Sequence, residues 1–283
     1  MKPKHLSVTI ALFACAATFL SCKKTETNDK AKGEIETTVE LSTNQAISDN
    51  LTEDAHDVFM EAVVDNNLTG QKPATPFESM GILGCATVSL TPLIGFPKTI
   101  VIDFGAGCTS PNGVARKGKI NIVVSDSVRK SGSTAVMTFD GYFVTGFKTE
   151  GTITWTNTST ASIKGWQRKI EGGKITTPTG KYWLHNGLKN VTQTAGYTSP
   201  RNLLDDEFTL TGNHTLTNSN GVSLTSSIVI PLEKKTICDN ISKGSIRLLG
   251  ANHTAIIDFG DGNCDKLGTL SIDGSTPQAF FLR

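Results

Sequence analysis

Hydrophobic and polar positions change rhythm three times along this chain. Leu6 to Leu20 is a single apolar run, led by Lys2, Lys4 and His5 and closed by Ser21-Cys22 before polarity flips to Lys23-Lys24-Thr25-Glu26. Residues 23 to about 46 are dominated by Lys, Thr, Glu, Asn, Asp and Ser. Such a stretch does not offset its ordering entropy by burial, so a flexible tether is expected over 22–46. From 47 to about 66 the period becomes helical. Ile47, Leu51, Ala55, Val58, Phe59, Ala62 and Val63 fall on one face, which predicts one N-terminal amphipathic helix packed on a sheet. Ser48 or Thr52 would cap its start, Glu53 and Asp54 would sit near the positive end of its dipole, and Gly70 and Pro73 would finish it.

From about residue 80 the period shortens to two. Runs such as Gly118-Lys119-Ile120-Asn121-Ile122, Gly151-Thr152-Ile153-Thr154-Trp155 and Gly244-Ser245-Ile246-Arg247-Leu248 alternate, and the chain holds 27 Gly. Alternation with Thr, Val and Ile predicts antiparallel strands, and the glycines are read as the tight turns between them. No helical period is sustained here, which argues against a parallel βαβ architecture. The expected fold is mostly β: a single domain over 47–283, an antiparallel meander forming a twisted sheet or a two-sheet sandwich.

The basic stub, short apolar run and cysteine at the start have the layout of a secretory signal over 1–21 ending at a lipid-modified Cys22. The run is shorter than the roughly 20 apolar residues that cross a bilayer. A cleaved signal without lipid is the rival reading, and small Ser21 before Cys22 favours lipid processing. Lys23 rather than Asp follows Cys22, so an outer-membrane address is expected, on either the periplasmic or the surface face. Lys2 and Lys4 leave with the signal, which takes the formal net charge from +1 to about −1. That balance gives no electrostatic footprint for nucleic acid.

A repeat organises the remaining cysteines. Lys98-Thr99-Ile100-Val101-Ile102-Asp103-Phe104-Gly105-Ala106-Gly107-Cys108 returns as His253-Thr254-Ala255-Ile256-Ile257-Asp258-Phe259-Gly260-Asp261-Gly262-Asn263-Cys264. Each copy is preceded by a cysteine, Cys85 or Cys238, so the repeated segments are 85–122 and 238–272. With Cys15 in the signal and Cys22 lipidated, four cysteines remain in an exported chain, where disulfides are the rule. The repeat selects Cys85–Cys108 and Cys238–Cys264. A zinc site would require Cys-x-x-Cys spacing, which the chain lacks. Asp103 and Asp258 are read as acceptors for glycine-turn N–H groups. Asp258, Asp261, Asn263 and Asp265 form a weaker calcium alternative, because Lys266 stands where an EF-hand loop needs glycine.

Catalytic motifs are missing: there is no Gly-x-Ser-x-Gly elbow, His-Glu-x-x-His or phosphate loop. His56, His185, His214 and His253 are read as isolated surface or turn residues, and Asp205-Asp206-Glu207 as a solvated loop. Trp155, Trp166 and Trp183 are candidate glycan-stacking residues, although Trp in an alternating strand more often belongs to the core.

Gly84-Cys85-Ala86-Thr87-Val88, Ile102-Asp103-Phe104-Gly105 with Cys108, Arg116-Lys117-Gly118-Lys119-Ile120 and Asp258-Phe259-Gly260-Asp261-Gly262-Asn263-Cys264-Asp265 together resemble a family of uncharacterised Gram-negative lipoproteins. The likeness runs from the helix to Phe281-Leu282-Arg283 and implies location and domain extent without a mechanism. The expectation is therefore a non-catalytic binding or structural module of the cell envelope, without a cofactor, engaging the membrane through its lipid and a glycan or an envelope protein. The alternatives are a hydrolase using Asp205, Asp206 or Asp258, and a carrier of lipid or another hydrophobic ligand.

Overall fold

A computed structural model describes residues 24–66, 68, 81–199 and 202–282. The signal segment, Cys22, Gly70 and Pro73 lie outside the described residues. One helix, α1 (Lys24–Asp65), is followed by a short 3₁₀ turn (Ile82–Cys85) and then by strands only. The first strands are β1 (Thr87–Thr91), β2 (Lys98–Asp103), β3 (Cys108–Thr109), β4 (Ala115–Val124) and β5 (Thr134–Val144). The long central ones are β6 (Phe147–Asn157), β7 (Gly165–Thr176), β8 (Tyr182–Ala195), β9 (Glu207–Asn218) and β10 (Ser223–Lys235). The last are β11 (Lys243–Leu249), β12 (Thr254–Asp261), β13 (Leu267–Ile272) and β14 (Gln278–Phe281).

All 14 strands form one open antiparallel sheet in chain order, with β3 set aside as a short partner of β4. The expected meander is present, as a single sheet. It curves around α1, and the glycines explain how. Gly118 and Gly151 are not turns between strands; they lie inside β4 and β6, at register shifts between Lys117 and Lys119 and between Glu150 and Thr152. Both have positive φ, 80° and 109°. A Cβ on Gly118 would run into the Gly141 carbonyl, and one on Gly151 would come within 2.7 Å of the Gly172 carbonyl. Bulges of this kind bend a strand and increase its twist. Read from sequence as turn punctuation, they are in fact the curvature of the sheet.

Curvature decides the helix. From Gln45 to Val64 only Ile47 and Met60 are not fully buried. The apolar stripe packs as expected, with Leu51, Val58 and Phe59 inside, each contributing about 1.5–3 kcal/mol by burial. The polar side is buried as well, so the helix is enclosed rather than amphipathic in its surroundings. It also begins well before residue 47. Leu41, Ser42, Gln45 and Ala46 are buried helical residues within the stretch expected to be a tether. Ser48 and Thr52 consequently cap nothing; their hydroxyls donate to the Asn44 and Ser48 carbonyls one turn back. Among the described residues no helix is long and apolar enough to cross a membrane.

The cysteines pair as Cys85–Cys108 and Cys238–Cys264. Asp103 and Asp258 each accept the N–H of the glycine two residues on, Gly105 and Gly260, at 2.8 Å. Asp265 likewise accepts the Leu267 N–H, and Asp261 accepts from Asn263. Among the described residues no three His, Cys, Asp or Glu side chains gather as a metal site would require.

Candidate functional site

Four acidic residues of α1 meet four cations from four different strands. Asp54 receives Arg116 of β4 through two contacts, at 3.1 and 2.6 Å, and the Arg116 Nη1 donates to Ser110 at 2.7 Å. Glu53 receives both terminal nitrogens of Arg168 on β7. Asp49 meets Lys189 on β8, and Asp57 meets Lys234 on β10 at 3.0 Å. Lys234 also donates to the Lys235 and Cys238 carbonyls. Burial alone would push Asp49 up, but Lys189 and His214 hold its carboxyl well below the usual range. Asp57 is pushed up to about 6, because burial outweighs its single lysine. His214 and His185 lie side by side on β9 and β8, 6.1 Å apart, and burial pulls both below their ordinary values. Gly173 and Gly187 on the neighbouring strands leave the room these two rings occupy.

Less than a turn from this charged belt the character changes. His56, Phe59 and Met60 of α1 face the ends of β4 to β8, and a cavity of about 260 Å³ opens there. Its wall continues through Ala135, Trp155, Trp166 and Gln193, with Val128, Arg129, Lys164 and Tyr197 from the connecting loops. The strand register builds this wall. Ala135 pairs with Trp155 across β5 and β6, Asn157 with Trp166 across β6 and β7, and Trp166 with Val191 across β7 and β8. Period-two alternation then sends Trp155, Asn157, Trp166 and Gln193 to the inner face.

The rings pack on one another. His56 stacks on Trp166 at 4.9 Å, Trp166 meets Phe208 edge-on at 5.3 Å, and Phe59 leans on Trp155 at 5.4 Å. Among the described residues, neither ring nitrogen of His56, nor the indole N–H of Trp155 or Trp166, has a hydrogen-bond partner. Burial pulls His56 down to about 3, so its imidazole is neutral at physiological pH. A second, much smaller cavity adjoins, bordered by His56, Asp57 and Asp206. Asp206 is buried, accepts from Gln193 at 2.7 Å, and is pushed up to about 7 by burial and by Asp205.

Sequence reasoning placed two of these residues, Trp155 and Trp166, among its binding candidates. The third, Trp183, does not join them: it is fully buried and its indole N–H donates to Ser48 at 2.8 Å. None of the three stands as an exposed platform. His56, His185 and His214 are buried, not surface residues, and Asp206 does not lie in a solvated loop. Of the acids considered for hydrolysis, Asp205 bonds Ser199, Asp206 bonds Gln193 and Asp258 closes its own turn, while Asp205 lies close enough to Asp206 to raise it. His56 carried no sequence signal beyond its place one residue along from Ala55 in the helical stripe.

Compared with protein-family models, curated proteins and solved structures, the chain matches none.

Proposed function

We propose that this chain is a non-catalytic binding module of the cell envelope, anchored by lipid at Cys22 in the outer membrane, that takes a small, largely apolar ligand in the aromatic cavity. The observation that carries this reading is the cavity itself. An opening of about 260 Å³ walled by His56, Phe59, Trp155 and Trp166 is close to the lower end of small-molecule sites, about 300–1,000 Å³, and has their character of apolar walls with a few polar groups.

The helix supports an aqueous ligand over cargo drawn from the anchoring bilayer. Its early residues, among them Glu34 and Thr38, border Gly250, Asn252 and His253, whereas His56 and Met60 border the cavity. At 1.5 Å per residue, about 50 Å separate Lys24 from His56, so the start of the helix and the mouth lie far apart along it. In the same reading, the likeness to Gram-negative lipoproteins and the two Asp-Phe-Gly segments, at the end of β2 and within β12, reflect kinship and an internal repeat. The lipid anchor is tested by palmitate labelling and fractionation, with both signals lost in Cys22→Ala.

Ligand binding is tested by thermal melts of the exported chain with small aromatic fragments. A fragment at a hundred times its Kd stabilises by about 2.7 kcal/mol. Val128→Trp, which fills the mouth, should keep the melting temperature and lose the fragment shift. Equal shifts in both proteins would place binding elsewhere and refute the reading.

A further inference from the structure

The wall of the aromatic cavity offers hydrogen bonds rather than free charge. Arg129 is already engaged within the protein, and the charge of Asp206 supports its guanidinium against burial. Lys164 is exposed, where water screens it and an ion pair gains little. His56 is neutral, pulled down to about 3 by burial. Among the described residues no aspartate or glutamate lines the cavity. An ionised ligand would therefore give up its hydration without meeting a buried opposite charge.

Several polar groups of the wall are engaged. Asn157 donates to the Val128 carbonyl and accepts from the Ser159 N–H, while the Ser133 and Ser159 hydroxyls donate to the Val128 and Gly165 carbonyls. Gln193, Thr134 and Tyr197 are more open. Gln193 lies two residues past Val191 on the inner face of β8, and its amide nitrogen donates to Asp206 at 2.7 Å. An ionised carboxylate only accepts, so the nitrogen is held there and Oε1 is left toward the cavity as an acceptor. The backbone N–H of Thr134 goes to the Ser125 hydroxyl, and its own hydroxyl accepts as readily as it donates. Tyr197, 53% exposed, brings a third oxygen from the connection between β8 and β9. All three oxygens can receive a donor, and Gln193 Oε1 can do nothing else.

The rings set the rest of the shape. Trp155, Trp166 and Phe59 present flat apolar surface, which suits a flat ligand. An apolar cavity of about 150 Å³ takes one benzene, so 260 Å³ accommodates two fused rings, or one ring with a short chain. Resting on the reading of this cavity as a ligand site, we propose that its ligand is a small uncharged aromatic molecule carrying a hydrogen-bond donor, a hydroxyl or an amide N–H. Its ring lies against Trp155 and Trp166, and its donor meets Gln193 Oε1.

The test is calorimetric titration of residues 23–283 at pH 8, where Asp206, pushed up to about 7, is largely ionised. One matched pair varies the donor: 4-propylphenol against its isomer 4-ethylanisole. The other varies the charge: indole-3-acetamide against indole-3-acetate. The phenol should bind about threefold to tenfold more tightly than the ether. The amide should bind about tenfold or more tightly than the carboxylate, and neither of the neutral ligands should weaken as salt is raised. Gln193→Met should make phenol and ether equal; if that variant does not fold, the two pairs in the parent protein decide. An ether that binds as well as the phenol would overturn the donor and leave the site standing. A carboxylate that binds as well as the amide would overturn the uncharged ligand. A preference for the phenol that survives in folded Gln193→Met would overturn the assignment to Gln193. Failure of all four probes to bind at millimolar concentration would overturn both this proposal and the ligand-site reading beneath it.

Discussion

The charged belt and the aromatic cavity occupy adjoining levels of the same helix, and among the described residues single polar atoms go unpartnered in both, including Asp49 Oδ2, Arg168 Nε and His214 Nε2 in the belt. The belt nevertheless pairs its charges, whereas the cavity leaves whole rings unpaired beside open space. In the belt, Asp49, Glu53, Asp54 and Asp57 each meet a cation from a separate strand. At the cavity, His56, Trp155 and Trp166 carry ring nitrogens without partners beside open space. Removing one partner of a buried ion pair strands the other, so the belt ties helix to sheet and tolerates little change. An unpartnered group beside a cavity costs stability and contributes nothing to the fold, which is the pattern expected where a ligand completes the set.

The largest effect that would break this contrast is in the belt. Arg168→Met should destabilise by about 3–5 kcal/mol in urea unfolding, because Glu53 is left buried without its partner. Adding Glu53→Leu should recover most of that loss. A single variant within 1 kcal/mol of the parent would mean that the belt holds nothing together. Next come the staples. Cys238→Ser with Cys264→Ser should cost about 3 kcal/mol in the chain-entropy account.

The third effect is a pH dependence with a definite sign. Asp206 is raised in the folded state to about 7, so its contribution to stability is fully present below the carboxyl's ordinary range and is lost as pH climbs toward 7. Asp206→Asn should remove that loss and be more stable than the parent at pH 7.5, with little difference at pH 4. His56 and His185, lowered to about 3, work in the opposite sense: their contribution is present above about 6.5 and lost as pH falls toward 3. The smallest effect is His56→Phe. No hydrogen bond is lost with the imidazole, so stability should stay within about 1 kcal/mol of the parent, while ligand affinity changes.

The comparison also explains what could be read from the chain. Alternation such as Ile120-Asn121-Ile122 was enough to give strands in an antiparallel order, because inner and outer faces differ locally. The duplicated cysteines were enough to give both disulfides. Helix extent was not legible, because residues such as Asp49 and Gln45 look solvated until Lys189 and His214, some 140 and 169 positions away, are brought against them. The bulge glycines were misread for a related reason: a glycine before an alternating run looks the same whether the strand starts there or bends there. Trp155 and Trp166 were legible as candidates by type. Their partner His56 was not, since the cavity exists only once the sheet has curved around α1.

The chain has three tryptophans, which provide an internal control for the most direct measurement. Two-dimensional NMR of residues 23–283, titrated with a small aromatic fragment that shifts the thermal melt, reads the three indole N–H signals separately. The signals of Trp155 and Trp166 should shift and saturate together, while that of Trp183, bonded to Ser48 in the core, should stay in place. Movement of Trp183 alone, or of none of the three while calorimetry shows binding, would contradict a ligand site between the helix and the ends of β4 to β8.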